Sequence, residues 1–222
     1  MLLKLYDSDQ YPPALPSLED GQIVVETDNE EVVQLILDGV DIRSSTNAPI
    51  YIKEADKVVI ILAEDSENYI SDGTDYVFED PVEEEPNAAI FSKGDLTIHG
   101  SGSLTVNGNY MDGITSKDGL IIASGTLIVK AVDDGIRGKD YLVVEDGNIT
   151  VNAGGDGLKS DNEEEAARGY ILVENGIINI TAGGDGINAQ TDVMVTEGSF
   201  TISAAVNRQR LWYRGRGPAL CI

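Results

Sequence analysis

The sequence predicts an all-β fold, a right-handed parallel β-helix of about 22 residues per coil with three short strands in each coil. Three observations carry this expectation. Asp-Gly pairs recur at Asp112-Gly113, Asp134-Gly135, Asp156-Gly157 and Asp185-Gly186, with spacings of 22, 22 and 29 residues. Each pair is followed by an aliphatic residue (Ile114, Ile136, Leu158, Ile187), and three apolar alternations broken by turns fill each interval. Finally, the apolar residues are mainly Ile, Val and Leu, and the chain holds 24 glycines, a composition suited to short strands and tight turns. A hairpin meander would need a turn of the Asn-Gly kind between all strands in a changing register, so the constant spacing favours stacked coils.

Taken in order, residues 1–20 contain Tyr11-Pro12-Pro13 and read as an extended lead-in to a helix domain over 21–204. Asn47-Ala48-Pro49-Ile50 and Asn87-Ala88-Ala89-Ile90 match as corners 40 residues apart, which places an insertion near 64–86. Its end, Glu83-Glu84-Glu85-Pro86, suits an exposed loop. Four units follow. Ile114 leads to Leu120 and Ile122, then Leu127 and Val129; Ile136 leads to Leu142 and Val144, then Ile149 and Val151. Leu158 leads to Ile171 and Val173, then Ile178 and Ile180; Ile187 leads to Val193 and Val195, then Phe200 and Ile202. Strict alternation is the strand signal. The spacing of 29 holds a second insertion at 161–167, at a corner where a solenoid accepts one. Gly125, Gly147, Gly176 and Gly198 each precede a third strand, where the turn calls for positive φ. Roughly seven coils at ~4.8 Å make a rod about 35 Å long.

Side chains between the core positions point outward. Ile121, Val143, Leu172 and Met194 should form an apolar stripe on one face, open to a partner or to cover by the loops. Thr105, Ile128, Thr150, Asn179 and Thr201 should form a flatter, mixed row on another. Tyr141 and Tyr170 fall at equivalent positions, where they pack together or against a sugar. Residues 205–222 carry Arg208, Arg210, Arg214 and Arg216, no acid and no alternation. They read as foreign to the repeat, so Trp212 is not taken as a sugar platform.

The formal net charge is −24, from 39 acidic and 15 basic residues. Such a chain does not seek nucleic acid or anionic lipid. No apolar run is long enough for a transmembrane helix, and Met1-Leu2-Leu3-Lys4-Leu5 is too short for a signal peptide. One cysteine, Cys221, gives no disulfide framework, and one histidine, His99, makes a zinc or copper site a poor expectation.

The period turns the Asp-Gly pairs into a ladder of Asp112, Asp134, Asp156 and Asp185 with rungs near 5 Å. Two carboxylates at that distance repel by about 3 kcal/mol at an effective dielectric of 20. Three arrangements offset this: splaying into water, accepting turn N–H groups, or sharing hard cations. Calcium suits the last, because it takes six to eight oxygens in flexible geometry. Asp-Gly is also a favoured turn dipeptide in its own right, so a corner ladder without metal stays open. Gly-Gly-Asp-Gly at 154–157 and 183–186 resembles the nine-residue calcium-binding roll, but the period here is different. Arg137 and Lys159 each lie two residues after a corner glycine and point outward. They either neutralise the ladder or grip a carboxylate-bearing ligand.

The segments GDLTIHGSGSLTVNG, DGI, DDGIRGKD, GGDGLKSDN and GGDGI resemble the bacterial surface β-helix family of carbohydrate-binding domain proteins, over roughly residues 21–204. That resemblance implies export or surface attachment, an architecture like that of pectate lyases, calcium at acidic corners, and binding of polygalacturonate-type pectin without catalysis. It assigns calcium to Asp133, Asp134, Asp156 and Asp185, and also to Asp112 and Asp161. Arg137 and Lys159 remain the candidate ligand-binding residues, and no residue is assigned a catalytic role. Two alternatives stand beside this binding module. One is a pectate-lyase-like β-eliminase with Arg137 or Lys159 as base, which nearby carboxylates oppose by raising the pKa. The other is a structural surface rod for adhesion.

Overall fold

The chain winds as a right-handed parallel β-solenoid of about seven turns, averaging about 25 residues per turn. This computed structural model describes residues 2–5, 17–27, 32–78, 82 and 84–205. Among these residues there are 23 strands and no helix. The coil beginning at the second Asp-Gly pair shows the plan. Ile136–Gly138 joins the third sheet, Tyr141–Val144 the first and Asn148–Ala153 the second. The first and second sheets have eight strands and the third has seven, all paired in parallel with the coils before and after.

The interior is a set of aliphatic ladders. On the third sheet Ile50, Ile90, Ile114, Ile136, Leu158 and Ile187 stack in register. On the first, Val58, Leu96, Leu120, Leu142, Ile171 and Val193 do the same. Nearly all are fully buried, because a coil hides its apolar face only against its neighbours. One rung of the second sheet is polar: Asn68 pairs with Leu104 and is buried. Its Oδ1 accepts the N–H groups of Gly39 and Val40, and its Nδ2 donates to Ser66 Oγ and Ser103 O. A fully bonded amide replaces an aliphatic side chain there without leaving a buried group unpaired.

The corners match the expected turns. Ile50 lies opposite Ile90, so the corners 40 residues apart are equivalent. Gly125, Gly147, Gly176 and Gly198 have φ of 114°, 132°, 122° and 119°. The insertion containing Tyr76 and Phe78 joins the second sheet to the third, and the one containing Asn162 and Arg168 joins the third to the first. The period is less uniform than 22: the register advances 25 residues from Gln34 to Val59, 24 from Thr97 to Ile121 and 22 from Ile121 to Val143. Early coils have longer corners, which the Asp-Gly spacing does not sample.

Within the proposed lead-in, Leu2–Leu5 is a strand paired with Val32–Leu37, and Ser17–Leu18 pairs with Asp41–Arg43. The segment 206–222, including Trp212 and its four arginines, lies outside the described residues.

Close stacking also restricts the corner after the second sheet. A Cβ on Gly154 would lie 2.1 Å from Val132 O, and one on Gly183 would lie 2.2 Å from Gly154 O. Gly154→Ala is therefore expected to destabilise the protein by about 1–3 kcal/mol, as overpacking does. Urea unfolding measures it, and an unchanged midpoint would contradict the argument.

Candidate functional site

The Asp ladder solves its electrostatic problem by reaching forward along the chain. Asp134 N–H donates to Asp112 Oδ1 at 3.1 Å, Asp156 N–H to Asp134 Oδ1 at 2.9 Å, and Asp185 N–H to Asp156 Oδ1 at 2.7 Å. Each corner carboxylate therefore accepts the backbone N–H of the next rung. The other oxygen takes a side-chain donor. Asp112 Oδ2 accepts from Thr115 Oγ1 and Asn87 Nδ2, Asp134 Oδ2 from Lys159 Nζ at 2.8 Å, and Asp156 Oδ2 from Asn188 Nδ2 at 2.8 Å. Lys159 and Asn188 stand three residues after the next rung's aspartate, so each reaches back to bond the carboxylate of the coil before it, Lys159 with its charge and Asn188 with a neutral amide.

Arg137 breaks that pattern. It stands where its guanidinium would meet Asp112, but it turns to Asp161 in a two-pronged ion pair, Nε to Oδ1 at 3.0 Å and a terminal nitrogen to Oδ2 at 2.8 Å. Asp161 thus stands apart from the ladder and fastens the second inserted loop to the third sheet. The same loop is held by Asp140, which bonds Asn162 Nδ2 and pairs with Arg168.

Three carboxylates crowd together at the corner of Asp112, Asp133 and Asp134. One oxygen from each lies within 4.8 Å of the others. Asp112 is 1% exposed, and burial together with the Asp134 charge pushes its carboxyl up to about 6. Burial and the charges of Asp134 and Asp156 also raise Asp133. Burial raises Asp185, with Asp156 adding to it. The cations shift the other way from what burial alone would give. Burial opposes the charge of Lys159, yet Asp134, Asp156 and Asp161 hold its pKa above the ordinary value. Burial opposes Arg137 likewise, and Asp161, Asp112 and Asp134 outweigh it.

The donors gathered at this corner are all carboxylate oxygens, the ligand type that hard cations take. Gly155 follows directly on the next coil, and a Cβ there would sit 2.3 Å from Asp133 Oδ1 and 2.8 Å from Asp134 Oδ1. The two carboxylate oxygens come up against the backbone of Gly155, so the position has no room for a side chain. Asp156 and Asp185 continue the ladder beyond that corner, and a Cβ on Gly184 would likewise meet Asp156 Oδ1, at 2.5 Å.

The site belongs to a longer feature. The outward row of the third sheet runs in register through Val24, Tyr51, Phe91, Thr115, Arg137, Lys159 and Asn188. Its first half is apolar and aromatic, and its second half is polar and cationic. Sequence reasoning found Arg137 and Lys159 but missed Thr115 and Asn87; the ladder period, extended by three residues from the first corner, marks Thr115. The other outward rows occupy their expected registers. Ile121, Val143, Leu172 and Met194 align on the first sheet, and Thr105, Ile128, Thr150, Asn179 and Thr201 on the second. Tyr141 and Tyr170 stack with centroids 5.7 Å apart. Tyr141 leans over Gly119, where a Cβ would fall 2.0 Å from its ring, and donates toward Asp95.

Fold and face together define a parallel β-helix with an in-register row of charged side chains along one flank. The chain belongs to the family of carbohydrate-binding domain-containing proteins, which it matches over residues 16–212. A carbohydrate-binding domain-containing protein of Acetivibrio thermocellus is 48% identical over 112 residues, covering 50% of this chain and 39% of that protein. The chain thus spans well under half the length of that relative. Among solved structures, the gadolinium derivative of a polysaccharide lyase-like protein from C. thermocellum is similar, with a TM-score of 0.81 and 35% identity over 99% of this chain and 89% of the other.

Proposed function

We propose that this chain is a calcium-dependent binding module for an acidic polysaccharide of the polygalacturonate type, acting without cleaving it. The observation that carries the reading is the corner of Asp112, Asp133 and Asp134, where one carboxylate oxygen from each lies within 4.8 Å of the others. Asp133 and Asp134 are the first candidates to hold the ion, with Asp112 behind them and Asp156 and Asp185 as further rungs. An anionic sugar meets only repulsion from this ledge, so a bound calcium ion would supply the positive charge between ledge and uronate. Arg137 and Lys159 flank the ledge and orient the carboxylates on either side of it. Family membership and the likeness to a polysaccharide lyase-like protein support the carbohydrate. The same reading puts the protein at the cell surface or outside the cell, where such polysaccharide is met.

Immobilised polygalacturonate is expected to retain the protein in calcium and release it in chelator. Retention unchanged by chelator would overturn the role of the metal. A lyase reading would need Arg137 or Lys159 uncharged, and both are held in their charged forms by neighbouring carboxylates. No rise in ultraviolet absorbance from unsaturated product is therefore expected when polygalacturonate and calcium are supplied.

A further inference from the structure

The aromatic half of the third-sheet row lies well away from the Asp ledge. Three coil steps, about 14 Å, separate Tyr51 from Arg137. Over Tyr51, residues of the first insertion close a cavity of about 250 Å³. We propose that this cavity is a second carbohydrate subsite, for a neutral sugar residue, independent of calcium. It rests on the carbohydrate-binding reading but not on the acidic ledge.

The cavity has the chemistry of a pyranose, which offers an apolar C–H face and a rim of hydroxyls. Tyr51 supplies the aromatic floor and is fixed by the fully buried Phe91, edge-on at 5.8 Å. Phe78 and Pro86 form the apolar wall. Phe78 is backed by Tyr110 and Tyr76, which stack on each other at 4.2 Å. Tyr76 is anchored in turn by Asp72 Oδ2 at 2.7 Å and Ala88 O at 3.1 Å, so the wall is organised before any ligand arrives.

Two amides give the cavity its polar side. Gln22 Nε2 donates to Ala48 O, and Asn47 Oδ1 accepts from Ala48 N–H. Each amide is thereby oriented, and Gln22 Oε1 and Asn47 Nδ2 have no partner among the described residues, leaving one acceptor and one donor for hydroxyls. Among the described residues, the two lining carboxylates are paired, Glu26 with Lys53 and Glu85 with Lys117 just outside the cavity. An aromatic floor, oriented amides and lining carboxylates with cations already paired to them select a neutral sugar over a uronate.

Cellohexaose and xylohexaose are the probes, measured by calorimetry on the full chain in calcium and in chelator. Binding of at least one is expected, unchanged by chelator and by Asp134→Asn. Tyr51→Ala should weaken it about tenfold or more, the loss of one aromatic contact. Tyr51→Phe should retain it, and Gln22→Ala, at the rim, should weaken it without altering the fold. Failure of both probes to bind wild type, or equal binding by Tyr51→Ala and Gln22→Ala, overturns the proposal. Calcium-dependent capture by polygalacturonate with no neutral binding sinks this subsite and leaves the ledge standing. Neutral binding lost in Tyr51→Ala, without polygalacturonate capture, supports the subsite and removes the ledge. Absence of both overturns both.

Discussion

Asp134→Ala is expected to cost about 3 kcal/mol of stability in metal-free protein. The carboxylate is 4% exposed and serves two partners, the N–H of Asp156 and the ammonium of Lys159. Alanine leaves the amide without its acceptor and the half-buried cation with only Asp156, 3.7 Å away. Relief of repulsion against Asp112 offsets part of the loss. Asp134→Asn keeps the shape but has one oxygen for two donors, so it should cost about 1–2 kcal/mol. Urea unfolding in chelator orders the three proteins, and an alanine variant as stable as wild type would show that the ladder bonds carry little. Both variants should also lose calcium affinity.

The metal-free protein should lose stability as pH rises from 4 to 7. Asp112 has a folded pKa of about 6 against an ordinary value of 3.8. Between these values the folded state holds a proton that the unfolded state has released, so the folded state is favoured at low pH. Its contribution is fully present below the unfolded value and is lost as pH rises through 6. The difference amounts to about 3 kcal/mol by pH 7. Asp133, Asp118 and Asp185 are raised too and act in the same direction. Asp112→Asn isolates the Asp112 share. Its single oxygen can still accept from Asp134 N–H, while Thr115 and Asn87 can turn to accept from its amide. The variant's pH profile should be flatter by that amount; a profile as steep as wild type would place the effect elsewhere. Calcium should restore stability at neutral pH in wild type, because a ligand that binds only the folded state stabilises it.

Much of this architecture is legible from residues alone because a solenoid repeats its solution. Aliphatic positions two apart mark the strands, the Asp-Gly interval marks the coil, and the glycines before each third strand mark a positive φ. Side-chain direction is another matter. Nothing in the spacing of Asp112 and Asp134 says whether a carboxylate faces water or the next rung's N–H, since both keep the same period. Arg137 is read as a ladder cation because it occupies a ladder position, yet its partner Asp161 sits in an inserted loop that belongs to no repeat. The cavity over Tyr51 is hidden for a similar reason. Its walls come from Gln22, Asn47, Phe78 and Pro86, which meet only once the long insertion lies back across earlier coils. Asn68 shows the reverse case, a polar residue on a core position that alternation alone would reject.

The forward reach of the corner carboxylates gives the rod a direction. Asp112, Asp134 and Asp156 each hold the amide of the next rung, and Asp134 and Asp156 receive Lys159 and Asn188 in return, so the coupling along this corner runs from one coil to the next. Such a molecule behaves as a one-dimensional chain of linked units, with stability that accumulates rung by rung. A unit carrying both its Asp-Gly corner and its returning donor three residues on is a complete module. Duplicating or deleting one would lengthen or shorten the rod while leaving every remaining clasp closed, a route by which the ledge could be retuned in length without redesigning its chemistry.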